Sequence, residues 1–149
     1  MVFISSFECG CELYFFEEIG ISKNKIDELA KGLKNFPNVT ILSDEVYDRL
    51  IFDNKEIPTL LNYPDLYDRL IVLNGWSKTY AMTGWRLGWS VWPEKLIEHV
   101  FKFCVNSHSC VNTPAQYGAI AALDGPENHL KDMMKESVSY THLTLPTKA

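Results

Sequence analysis

The chain has 149 residues, 46% of them hydrophobic, which suits one α/β unit of modest size and leaves no room for two. A formal net charge of -5 excludes the basic, locally clustered surface of a nucleic-acid binder. No run approaches the roughly eighteen apolar residues of a membrane span, and the apolar start is broken by Glu8 and Glu12 without a basic leader, so a cytoplasmic protein with no membrane partner is expected.

Taken in chain order, the first helix is signalled by Ile26, Leu29, Ala30 and Leu33, which recur at i, i+3, i+4 and i+7, with Ser22 as its N-cap. The turn signal Phe36-Pro37-Asn38 precedes the run Val39 to Asp44. That run is β-branched and aliphatic, as in a strand buried on both faces of a parallel sheet. Phe52 to Asp68, with Pro58 and Pro64, reads as a long connection holding a short helical turn. Leu70 to Asn74, LIVLN, is a second buried strand, and Leu87 to Trp92 a third. Pro93 opens a helix to about Cys104 with Leu96, Ile97, Val100 and Phe101 on its apolar side. The last helix starts with Thr113 as cap and Pro114 in its first turn, and Gly125-Pro126 stops it. Helix, strand, long connection and strand are the grammar of a doubly wound α/β fold, a mainly parallel sheet with helices on both faces.

Four cysteines, Cys9, Cys11, Cys104 and Cys110, have neither a disulfide framework nor paired CxxC spacing, and read as buried or partly buried thiols. His99 falls on a helix and His108 near Cys110, which is too little for a metal site, and none is assigned. Trp76, Trp85, Trp89 and Trp92 are expected to be mostly packing residues. Trp76 and Tyr80 flank Lys78 and are left out of the site.

Chemistry concentrates in Asn74 to Gly88, NGWSKTYAMTGWRLG, where Lys78 and Arg86 lie eight residues apart across a glycine-bearing turn. A lysine that forms a Schiff base must shed its proton, and a phosphate dianion suits a planar, permanently charged guanidinium. Ser77 adds a hydroxyl beside the lysine. Alone, such a Ser-Lys pair reads as surface charge. The second constellation is VTILSDEVY, Val39 to Tyr47, in which Asp44 ends a strand and Tyr47 comes three residues later. In open α/β sheets the carboxyl ends of strands face the ligand crevice. An acid there suits a protonated ring nitrogen and the tyrosine suits a phenolate oxygen; the plain alternative is that Asp44 and Glu45 begin a solvated loop.

Together Asp44, Tyr47, Ser77, Lys78 and Arg86 resemble the pyridoxal 5′-phosphate site of class I/II aminotransferases of fold type I. The stretch MTGWRLG after a Ser-Lys pair is most similar to broad-range bacterial and archaeal aspartate aminotransferases. The resemblance implies that Lys78 is the Schiff-base lysine and the base at the substrate Cα, that Asp44 holds the ring nitrogen protonated and that Tyr47 bonds the ring oxygen. It further implies that Ser77 and Arg86 anchor the phosphate. The implied enzyme is a cytoplasmic homodimer moving an amino group between an amino acid and a 2-oxo acid. Asn74, Cys110, Asn112 and Thr113 would approach the second subunit. A lyase or decarboxylase of the same fold, or a non-catalytic cofactor-binding sensor domain of a transcription regulator, is the alternative.

Against that family, the expected division is an atypical segment 1–21, a partial cofactor-binding large domain 22–136, and a foreign tail 137–149. The tail string SVSYTHLTLPT resembles the one-frame translation of a transposon-type sequencing adaptor. The family's Asn-Pro-Thr-Gly motif should precede Ser22, where Phe15-Phe16-Glu17-Glu18 stands instead. The N-terminal phosphate turn, a ring-stacking aromatic and a C-terminal carboxylate-binding arginine are not found either. The chain by itself is therefore expected to be an incomplete domain without turnover.

Overall fold

The computed structural model describes residues 22–50 and 58–141, with side chains to 136, and the backbone of two strands further upstream. Cys9, Cys11, Glu17, Glu18, the first part of the long connection and the end of the tail lie outside the described residues. The elements are β1 (Val2–Ser6), β2 (Tyr14–Phe16), α1 (Lys23–Leu33), β3 (Val39–Asp44), β4 (Leu70–Gly75), β5 (Gly88–Val91), α2 (Glu94–Ser107), α3 (Thr113–Asp124) and α4 (Asn128–Thr141). Short 3₁₀ turns, Leu60–Asn62, Pro64–Arg69 and Thr83–Trp85, punctuate the connections.

The sheet has the order β2-β1-β3-β4-β5. Its central pair, β3 and β4, is parallel, with Ile41 opposite Leu70 and Asp44 opposite Leu73. The other pairs are antiparallel. Within this chain the sheet is thus mixed, because β5 returns directly through 76–87, whereas the parallel pair is separated by the long crossover that such pairing demands.

The core lies on one face of β3 and β4. Strand alternation puts Ile41 on the face shared with Leu70 and Val72, and α1 covers it with Ile26, Ala30 and Leu33. Leu60 and Leu66, carried by the 3₁₀ turns, complete this cluster. The opposite face is less covered: Leu42 and Leu73 are half-buried, so β3 is not the doubly buried strand its run of apolar residues implies. A smaller cluster joins Leu87 to Ala115 and Ala119 of α3, with Trp76, Met82 and Val111 packed against it. Each fully buried aliphatic contributes about 2 kcal/mol. The Lys34–Asp65 ion pair is solvent-exposed and screened, so burial, not surface charge, holds α1 to the sheet.

Helix boundaries differ from expectation in informative ways. Ser22 is at the N-cap of α1 but its side chain makes no capping bond. At α3 the cap is Asn112, not Thr113: the Asn112 side chain accepts from the Ala115 N–H at 3.1 Å, and Thr113 is already helical. The amide oxygen of asparagine caps as well as a threonine hydroxyl, and Pro114 fits either register. The expected apolar side of α2 finds no cover among the described residues, with Ile97 54% and Phe101 68% exposed. Trp85 and Trp89 are likewise largely exposed, and Trp76 is the tryptophan in the second cluster, its indole N–H donating to the Ala119 carbonyl.

Two side chains lock α1 to the segments on its C-terminal side. Arg69 donates to the carbonyls of Leu33, Phe36 and Val39 at 2.7–2.8 Å, satisfying the end of α1 and the entry to β3 from the residue before β4. Burial lowers the Arg69 pKa from its ordinary value. Tyr63 donates its hydroxyl to the Asp27 carboxylate at 2.5 Å. That hydrogen bond, then burial, then the carboxylate charge raise the phenol from 10.0 to about 12.

Replacing Arg69 by Gln leaves those carbonyls without their charged donor and is expected to lower unfolding free energy by roughly 2 kcal/mol in urea titration. For Tyr63, a folded-state pKa above the unfolded one means that its stabilisation is complete below pH 10.0 and disappears as pH rises through about 12. The difference in Tm between the unsubstituted chain and Tyr63→Phe should therefore be largest below pH 10.0 and close towards about 12; a constant difference over that window contradicts the assignment.

Candidate active site

Because β3 and β4 run parallel, their carboxyl ends meet at one edge of the sheet, and the segments leaving them, 44–50 and 75–80, lie side by side. Asp44 ends β3, half-buried, with its Oδ1 accepting from the Val46 N–H at 3.3 Å in a tight turn. That turn swings Tyr47, 55% exposed, over the edge. Lys78 emerges from the turn after β4 with its Nζ 5.6 Å from the centre of the Tyr47 ring, a cation–π distance. Ser77 sits half-buried beside it.

The lysine turn is closed at its base and folded on itself. The Trp76 N–H donates to the Leu87 carbonyl at 3.3 Å, prolonging the β4–β5 ladder, and the Trp76 carbonyl accepts from the N–H groups of Tyr80 and Met82. Ala81 and Arg86 both adopt the left-handed region, φ 52° and 55°, where a non-glycine residue carries on the order of 1 kcal/mol of strain or more. Arg86 is exposed and turns back on its own loop, donating from Nη1 to the Thr83 carbonyl at 3.0 Å. The structure therefore groups Asp44, Tyr47, Ser77 and Lys78 at one strand edge. Arg86 ends the same connection, next to Leu87 at its closed base, with its guanidinium on the Thr83 carbonyl.

Glu45 does not begin a solvated loop. Its N–H donates to the Leu73 carbonyl at 2.8 Å, extending the parallel ladder, and its carboxylate accepts from the Ser43 hydroxyl and the Leu60 N–H. Sequence reasoning also passed over Asp48. Its carboxylate accepts from the Asn74 amide at 2.9 Å and from the Thr79 hydroxyl at 3.4 Å, while Arg49 donates to the Tyr80 hydroxyl at 3.1 Å. Asn74, expected from the resemblance to approach a second subunit, has this partner in its own chain. The one available signal was position: Asp48 is next to Tyr47, and Thr79 is next to Lys78.

With the geometry in view, the relatives are informative. The aminotransferase class I and II family matches residues 20–142. The chain belongs to that family. A probable aspartate aminotransferase of Methanocaldococcus jannaschii is 41% identical over 120 residues, covering 76% of this chain and 31% of the relative. The aspartate aminotransferase of Thermotoga maritima is 38% identical, covering 69% of this chain and 27% of its own length. Among solved structures, the aspartate aminotransferase of Rhizobium meliloti superposes with a TM-score of 0.74 at 31% identity, over 78% of this chain and 30% of that one. The aromatic aminotransferase of Pyrococcus horikoshii gives 0.72 at 34% identity, over 78% and 31%. The fold is thus that of the fold-type-I aminotransferases, and the chain spans less than a third of the length of these relatives.

The close approach at the base of the lysine turn needs glycine. A Cβ on Gly75 would stand 2.8 Å from the Leu87 carbonyl oxygen and 3.2 Å from the Gly88 Cα, both backbone atoms that cannot swing aside. Gly75→Ala is expected to cost about 1–3 kcal/mol by displacing β5. Gly84→Ala, which meets nothing within 4 Å, should stay within about 0.5 kcal/mol of the parent in the same denaturant titration.

Proposed function

We propose that this chain is the cofactor-bearing part of a pyridoxal 5′-phosphate-dependent aminotransferase, whose complete form transfers an amino group from an L-amino acid, aspartate-like or broad in range, to a 2-oxo acid. The observation that carries the reading is the meeting of Lys78 and Tyr47, 5.6 Å from Nζ to ring centre, beside the strand end bearing Asp44. The donor set suits the cofactor group by group: an amine for its aldehyde, a phenol for its ring oxygen, a carboxylate for its protonated nitrogen, and a hydroxyl with a guanidinium for its phosphate. Bound there, the cofactor would supply a conjugated cationic ring that spreads the charge left when a substrate loses its Cα proton.

Within this reading the side chains divide the work. Lys78 would hold the cofactor through its aldehyde and would carry the proton to and from the substrate Cα. Asp44 keeps a proton on the ring nitrogen, and Tyr47 donates its hydroxyl to the ring oxygen. Ser77 and Arg86 hold the phosphate, for which the Arg86 guanidinium must exchange its bond to Thr83. Residues 22–136 are the partial large domain, 1–21 is atypical of it, and 137–149 is foreign to it. The complete protein is a cytoplasmic homodimer acting on amino acid and 2-oxo acid, with no nucleic-acid or membrane partner. The activities for which the relatives are named favour transamination over the lyase and sensor alternatives.

In the complete subunit, borohydride reduction after incubation with pyridoxal 5′-phosphate should leave the cofactor on the peptide containing Lys78, as read by mass. Lys78→Ala should abolish this adduct and slow the half-reaction with aspartate by at least about a hundredfold. An adduct on another lysine, unchanged by that substitution, identifies a different catalytic residue.

A further inference from the structure

We propose that Asp48 is a positioning residue for Lys78, tying the turn that carries the lysine to the segment that carries Tyr47; this rests on the role of Lys78 given above. Asn74 and Thr79 bracket Lys78, four residues before it and one after. Both donate to the same carboxylate, Asn74 from Nδ2 to Oδ2 at 2.9 Å and Thr79 from Oγ1 to Oδ1 at 3.4 Å. Thr79 is only 2% exposed, so the latch is anchored inside the protein while Lys78 remains accessible. The acceptor end of the Asn74 amide, its Oδ1, accepts from the Gly75 N–H at 2.6 Å, which fixes the amide orientation and leaves Nδ2 to face Asp48. Arg49, next along, adds the contact to Tyr80.

The partners explain the choice of aspartate. Both are donors towards it, and a carboxylate accepts on both oxygens, whereas a carboxamide must turn its own NH₂ towards one of them. Backbone restraint on either side of a lysine limits where its amine can reach, and an ångström of misplacement is enough to slow a reaction strongly. Asp48 touches neither Lys78 nor Tyr47 through any of these bonds. It acts through Asn74 and Thr79.

The test exploits the polarity of the Asp48–Asn74 bond in the complete subunit. Asp48→Asn must turn its NH₂ towards Asn74 or Thr79, so that one of the two loses its acceptor, and Asn74→Asp sets two carboxylates together. Each should slow the appearance of borohydride-trappable pyridoxal 5′-phosphate on Lys78 by roughly ten- to a hundredfold. The double exchange, Asp48→Asn with Asn74→Asp, reverses donor and acceptor, keeps acceptors for Thr79 and the Gly75 N–H, and should restore the rate to near the unsubstituted value. Arg69→Gln, remote from the turn, serves as the destabilised control and should trap cofactor at the parent rate. Unchanged rates in the single variants, a double variant as slow as its parents, or equal slowing by Arg69→Gln each overturns the proposal. Absence of an adduct on Lys78 in the unsubstituted protein overturns the assignment of the lysine as well, so the two failures are distinguishable.

Discussion

The parallel pairing of β3 with β4 is the constraint on which the rest depends. In an antiparallel pair Asp44 and Gly75 would lie at opposite ends of the strands; in a parallel pair both strands deliver their next segments to the same edge. The ladder does not stop at the strand end, because the Glu45 N–H still reaches the Leu73 carbonyl. Register is fixed by burial: a one-residue slip of β3 would turn Ile41 out of the cluster it shares with Leu70 and Val72, and would also rotate Asp44 to the other face. The core under α1 and the orientation of the acid are therefore the same fact seen from two sides of the pleat.

Beyond β4 the constraint changes from burial to closure. The connection 76–87 is tied at its base by the Trp76–Leu87 bond and by the tight Gly75 contact, and its two non-glycine left-handed residues, Ala81 and Arg86, sit inside that closed loop. Strain of this kind persists only where the surroundings over-determine it. Here the surroundings are β5 pairing on one side and the Asp48 and Arg49 contacts on the other. The sheet thus supplies coarse placement of Lys78 and the polar contacts supply fine placement.

What could be read from the residues depends on the range of the interaction responsible. The helix α1, the strands β3 to β5 and the stop of α3 at Gly125 rest on periodicity and local turn chemistry, and these were legible; β1 and β2 were not expected. Lys78, Tyr47 and Asp44 were grouped only through the resemblance, since by residue type and spacing alone each reads as a surface or loop residue. The Arg69 clamp joins residues 30 to 36 apart, and the Asp48–Asn74 bond joins residues 26 apart. No window along the chain reports such pairs; they exist only after β3 and β4 have aligned. The shift of the α3 cap from Thr113 to Asn112 has a different cause, since two adjacent capping residues offer equivalent oxygens and only backbone geometry chooses. The exposure of Ile97 and Phe101 shows a third limit: periodicity marks an apolar side but does not say what covers it.

The segment 44–48 shows how one residue type divides into three roles by position alone. Its carboxylates Asp44, Glu45 and Asp48 are near neighbours, all half-buried, and composition does not distinguish them. Glu45, next on the ladder, turns to the Ser43 hydroxyl and the Leu60 N–H and so fastens the crossover to β3. Asp48, past the turn, meets the lysine-bearing segment and holds it. Asp44 faces away from the α1 core by strand alternation, at the edge where Tyr47 and Lys78 come together. Glu45 and Asp48 thus join the turn to other segments, whereas Asp44 accepts from the Val46 N–H within it and stays at the strand end.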